Sequence, residues 1–168
     1  LDMVQLWVNL PSHSKMVEPR YQELTEQNIP EIILNDNQGI IRVIAGEYVH
    51  AKTMAKGPAL TYSPLNLLDA RLNANKTVQF NVDPTWNNII FVLSGSIKID
   101  GQIFNHLQTV YLNHDVSEVD IEVLEDSKLL IASGEPIHEP IVAHGPFVMN
   151  SEAEIHQAFS DFQKGQFT

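Results

Sequence analysis

Apolar and polar residues alternate with a period of two along much of this chain, the mark of extended segments with one buried and one wet face. The clearest case is Val119–Leu124, where Val119, Ile121 and Val123 point one way and Asp120 and Glu122 the other. Ile97 and Ile99 do the same within Ser96–Asp100. Ile40–Ala45, Thr77–Val82, Ile89–Leu93 and Lys128–Ala132 complete the set of predicted strands. Ser94-Gly95 and Asp100-Gly101 are turn dipeptides beside those strands and predict antiparallel hairpins. Many short strands at this spacing predict an all-β fold, an antiparallel barrel or sandwich.

The pattern changes at both ends. Ser151 and Glu154 form a Ser-x-x-Glu capping box, and Ile155, Ala158, Phe159 and Phe162 follow at helical spacing, with Lys164-Gly165 as a stop. This predicts a short C-terminal helix whose apolar stripe docks on the chain's own barrel. Ahead of it, Pro136, Pro140 and Pro146 punctuate residues 134–150 and predict an ordered arm crossing a surface. Ile137, Ile141, Phe147, Val148 and Met149 are its predicted anchors, with Phe147 and Met149 buried. At the other end, Val4, Leu6, Val8 and Leu10 share one face of an extended segment running from Leu1 to Leu10. An alternation already under way at Leu1 leads to the expectation of a piece cut from something longer. Trp7 and Trp86 are assigned to a core by default, with a barrel mouth as the alternative. The resulting division is a strand and linker over 1–30, a barrel over 31–133, and the arm with its helix over 134–168.

Composition narrows the function. At 168 residues and 43% hydrophobic content, the chain has enough apolar material for one core without metal or disulfide staples. Cysteine is absent, which removes disulfides, thiolate metal sites and a cysteine nucleophile. A formal charge of -11 repels phosphate backbones, so direct nucleic-acid binding is not expected. No apolar run approaches the roughly 20 residues of a membrane-spanning helix, and no basic stretch leads into an apolar one as in a signal peptide.

Several blocks of residues resemble one family. Leu6-Trp7-Val8-Asn9-Leu10, Lys15-Met16-Val17-Glu18-Pro19, Tyr21-Gln22-Glu23-Leu24 and Ile29-Pro30 are similar to the stretch joining the two halves of pirins. Gly134-Glu135-Pro136-Ile137, Glu139-Pro140 and Gly145-Pro146-Phe147-Val148-Met149-Asn150 are similar to the end of the same proteins, and Glu154-Ile155 with Gln157-Ala158 continues the match. The resemblance implies a cupin-type barrel, the C-terminal half of a two-barrel protein. It further implies that the missing N-terminal cupin half is this chain's partner and carries Fe(II) with quercetin 2,3-dioxygenase-like activity. The implied setting is the cytoplasm, with the nucleus added for a eukaryotic source, where some members act as transcription coregulators.

No cofactor and no catalytic or metal-binding residue is assigned to this half. A cupin iron site needs converging imidazoles and a carboxylate, commonly from a His-x-His pair on one strand, and that pair is absent. Counting back from Val92-Leu93-Ser94-Gly95, the expected positions fall near Asn81 and Asp83. His106 and His114, flanking Tyr111, are assigned to surface turns. His138 and His144 in the arm, with Glu139, suggest a nickel or zinc clip weighed against backbone capping. Glu135 and Glu139 are a weak paired-carboxylate candidate. His13, His50 and His156 lack partners at ligand spacing. Three readings stay open: the non-catalytic half of an iron-dependent dioxygenase, a module that binds a transcription factor or other protein partner through its acidic face, and a small-molecule-binding barrel.

Overall fold

The computed structural model describes residues 3–166. The chain forms two compact bodies. One runs from Tyr21 to Pro136; the other joins the described residues up to Arg20 with those from Ile137 onward. The expected segment from Leu1 begins outside the described residues.

The larger body contains β1 (Glu31–Ile33), β2 (Gly39–Ala45), β3 (Glu47–His50), β4 (Thr53–Lys56), β5 (Leu65–Leu72), β6 (Lys76–Asn81), β7 (Asn87–Ser94), β8 (Ser96–Ile99), β9 (Gln102–Asn105), β10 (Thr109–Tyr111), β11 (Glu118–Val123) and β12 (Ser127–Gly134). A six-stranded sheet runs β1-β2-β5-β12-β7-β10, a four-stranded sheet runs β6-β11-β8-β9, and β3-β4 is a separate ribbon. Every paired strand is antiparallel. Both larger sheets contribute to one apolar core. Ile41, Val43, Leu68, Leu72, Ile90, Val92, Leu129 and Ile131 come from one sheet, and Val78, Phe80, Ile97, Ile121 and Val123 from the other. This is a two-sheet sandwich, as the period-two pattern predicts.

Asp100-Gly101 closes the β8–β9 hairpin, with Ile99 paired to Gln102 and both turn residues at positive φ (47° and 78°). Ser94-Gly95 does something else. The chain leaves β7, which pairs with β10 and β12, and enters β8, which pairs with β9 and β11, so this turn passes between sheets rather than closing a hairpin. Gly95 has φ 85°, and a Cβ there would collide with Ser127 Oγ and the Asp126 carbonyl. The Ser127 hydroxyl donates to the carbonyls of Glu125 (2.7 Å) and Ser96 (3.3 Å), tying the turn to the start of β12.

On β2, Arg42 is buried and lies opposite Glu31 of β1 and Asp69 of β5. Its guanidinium reaches Asp69 at 3.3 Å and Glu31 at 3.7 Å, and Arg71 reaches the same Asp69 oxygen at 3.4 Å. Buried charge persists only when paired, so this cross-strand cluster fixes which strands flank β2.

The smaller body contains β13 (Val142–His144), β14 (Phe147–Met149) and α1 (Glu152–Gln163). Gly145-Pro146 joins the two strands, with φ 57° at the glycine. Prolines 136 and 140 lie outside this ribbon and Pro146 sits in its turn, so none of them interrupts the pairing. At the helix start the Glu154 N–H donates to Ser151 Oγ (3.3 Å), while Glu154 accepts from the Asn150 N–H (3.0 Å). The reciprocal bond thus lands one residue earlier than the capping-box pattern implies.

The helix buries Ile155, Ala158 and Asp161, and it packs on the β13–β14 ribbon. Phe162 is 60% exposed and meets Phe147 at a ring distance of 6.2 Å, and Phe159 meets Phe147 at 5.0 Å, edge to face. The stripe is therefore turned towards Asp161 relative to the predicted one. Phe147, Val148 and Met149 are half-buried and Ile141 is exposed, so the arm is anchored less deeply than predicted.

Residues 3–10 form no strand. Val4, Leu6 and Val8 are about half-exposed and Trp7 is 72% exposed, which removes Trp7 from any core. Trp86 is half-buried, lining a cleft with Leu60 and Asn66.

The turn between the sheets gives a stability test. Gly101→Ala meets open space and is expected to cost only the left-handed strain of about 1–2 kcal/mol. Gly95→Ala adds the collision with Ser127 and should cost clearly more in urea denaturation; equal costs would contradict the account of this turn.

Candidate functional site

The positions where a cupin metal ligand pair is expected do not fit a metal here. Asn81 ends β6 on its exposed face, alternating with the buried Val78 and Phe80, so its side chain has the outward parity. Asp83 is also exposed, and its Oδ1 accepts from the Thr85 N–H (2.8 Å) and hydroxyl (2.6 Å). The Thr85 hydroxyl, then its N–H, hold the Asp83 carboxyl below its usual range. Asn88 is buried and donates to the carbonyls of Asp83 (2.7 Å) and Trp86 (3.0 Å). Among the described residues, no three His, Asp or Glu side chains converge as a metal cluster.

The other histidines occupy varied settings. His106 lies in the turn after β9, with Nδ1 2.7 Å from the Leu93 carbonyl oxygen, and His114 is exposed in the loop before β11. His50 ends β3, and its buried Nδ1 has no hydrogen-bond partner within the described protein. His156 is exposed on α1. His144 on β13 stacks edge-on against Phe159 at 5.5 Å, while His138 is exposed with φ 55°. The suggested acid pair is divided between the bodies: Glu135 belongs to the larger one and Glu139 to the smaller.

Glu139 is instead part of a clasp within the smaller body. Its carboxylate accepts from the Ser12 N–H (2.7 Å), the Ser12 hydroxyl (3.0 Å) and the Asn150 amide (3.0 Å). A second tie lies nearby in sequence: the Lys15 ammonium donates to Asn9 Oδ1 (2.7 Å) and the Val148 carbonyl (3.0 Å). The Ser12–Glu139 and Lys15–Val148 bonds join residues 127 and 133 positions apart, so spacing along the chain gave no sign of them. Beside Lys15 is a cleft of about 310 Å³ lined by Trp7, Val8, Leu10, Pro146 and Met149 among others.

Comparison with known proteins follows the same lines. Residues 67–168 match the family described as the Pirin C-terminal cupin domain. A Pseudomonas aeruginosa protein bearing a quercetin 2,3-dioxygenase name is 44% identical over 167 residues, covering 99% of this chain and 57% of that protein. A human protein named pirin is 36% identical over 169 residues, covering 97% of this chain and 56% of that one. The crystal structure of a quercetin 2,3-dioxygenase from Acinetobacter baumannii aligns with a TM-score of 0.88 at 39% identity, over 96% of this chain and 55% of the other. The sandwich is thus of the cupin type, and the chain spans a little over half the length of these relatives. Among the described residues, no helix is long and apolar enough to cross a membrane.

The clasp titrates. Burial alone would push the Glu139 carboxyl up, but the bonds from Ser12 and Asn150 and the charge of His13 outweigh it and hold the group below its usual range. A carboxyl lowered in the folded state stabilises above its unfolded pKa, and that contribution is lost as pH falls through the folded value. Hydrogen-exchange protection of the Ser12 amide is therefore expected to hold at neutral pH and to be lost only in acid, as pH falls through the lowered Glu139 value. In Glu139→Gln the same protection should no longer change across that window. Protection in the unaltered chain that is lost already above the usual carboxylate range, or an acid response identical to that of Glu139→Gln, would contradict the clasp.

Proposed function

We propose, because this chain belongs to the pirin family, that it is the metal-free second barrel of a two-barrel protein whose first barrel holds Fe(II) and performs quercetin 2,3-dioxygenase-like chemistry. The observation that carries this reading is the ligand positions themselves. Asn81 faces outward, and the Asp83 carboxylate is already committed to Thr85. Dioxygen chemistry of this kind belongs to the metal, with the protein supplying position and environment. The role left to this chain is to hold the first barrel and to wall its substrate cleft.

The partner in this proposal is the N-terminal cupin half. Met3, Val4, Leu6, Met16 and Val17 are exposed in the smaller body, and exposed large apolar side chains are what an interface between protein bodies covers. The corresponding setting is the cytoplasm.

The test is to produce this chain and the N-terminal half separately and together. The chain alone is expected to bind well under one iron per molecule and to leave quercetin unchanged. The N-terminal half should bind iron, recruit this chain, and consume oxygen with quercetin more efficiently when the two are joined. Saturable one-to-one iron binding by this chain would sink the proposal. An N-terminal half without iron ligands that still recruits this chain would favour a protein-interaction module instead.

A further inference from the structure

Among the described residues, the Lys15 ammonium has no carboxylate partner, in a chain whose formal charge is -11. It carries three donors, and two of them go to neutral acceptors, Asn9 Oδ1 and the Val148 carbonyl. Other lysines among the described residues also lack an ion pair, but Lys15 is half-buried and already fixed by its two neutral acceptors. It stands on the wall of a cleft whose other lining is mainly apolar, from Trp7, Val8, Leu10, Pro146 and Met149.

We propose that this cleft binds a small aromatic carboxylate, its anionic end on the third Lys15 donor and its ring against Trp7 and Met149. A volume of about 310 Å³ suits a molecule of one or two rings. The indole of Trp7 is 72% exposed, and it offers a face for stacking, while the Met149 thioether offers a favourable contact to a ring edge. One ammonium with one remaining donor matches a singly charged carboxylate better than a doubly charged phosphate. The two bonds already made by Lys15 join the walls, so the donor is held in place before a ligand arrives and less ordering is needed on binding.

The test uses the 168-residue chain itself, so it stands apart from the iron and the N-terminal half. The probe is 1-naphthoate, compared with the neutral 1-naphthamide, with the Trp7 indole N–H and the Asn9 side-chain amide followed by two-dimensional NMR. Naphthoate is expected to shift both signals saturably, and naphthamide to bind at least about tenfold more weakly, the effect of losing a charge-assisted bond. Trp7→Leu should weaken naphthoate while keeping its preference over the amide. Lys15→Met should abolish that preference, and because this variant also removes the tie between the walls, the acid–amide comparison on the unaltered chain is the deciding one. Equal affinity for acid and amide, shifts that avoid Trp7 and Asn9, or no saturation at about 10 mM ligand would each overturn the proposal.

Discussion

The larger body depends on β12 being paired on both sides. From Ser127 to Gly134 it is matched residue for residue with β5, and from Leu129 onward it is also matched with β7. Leu129 and Ile131 face the core with Ser127 and Ser133 on the same parity, whereas Lys128 is exposed. A slip of one residue would drive Lys128 inward and turn Leu129 and Ile131 out, so burial fixes the register. The irregularity at Lys128/Leu129 falls where Ser127 bonds to Ser96, at the point where the chain crosses from one sheet to the other. The two sheets are thereby tied at the start of β12, and the core between them can close.

That closure decides the chemistry available. Phe80, Val78, Ile121 and Leu129 are fully buried and fill the interior with hydrocarbon. Binding a metal would require imidazoles or carboxylates aimed from this strand into a common space, and on β6 the inward places belong to Val78 and Phe80. The sandwich of this half has a packed apolar interior. Its polar groups of interest lie in the smaller body, where Glu139 and Lys15 tie an N-terminal segment to the C-terminal ribbon.

Much of this architecture was legible in the sequence where a single force dominated. Strands such as β11 read plainly because alternation and burial agree, and the helix start read plainly because its capping bonds are local. β5 did not. Leu65, Leu68 and Leu72 recur at a helical spacing among helix-favouring Leu, Ala and Arg residues, and only the flanking strands β2 and β12 override that preference. Ser94-Gly95 reads as a hairpin until its flanking strands are seen in different sheets. Trp7 was misplaced because a large aromatic on a short apolar segment reads as core when nothing in the letters says what covers it. Ser12 and Lys15 were missed because their bonds to Glu139 and Val148 span most of the chain.

The central claim, that metal in the parent protein belongs to the other barrel, is tested most directly by anomalous diffraction. Crystals of the whole iron-loaded protein would be measured on both sides of the iron edge. The account predicts an iron peak within the first barrel and none near Asn81, Asp83 or Asn88. A peak of comparable height at those residues would contradict it.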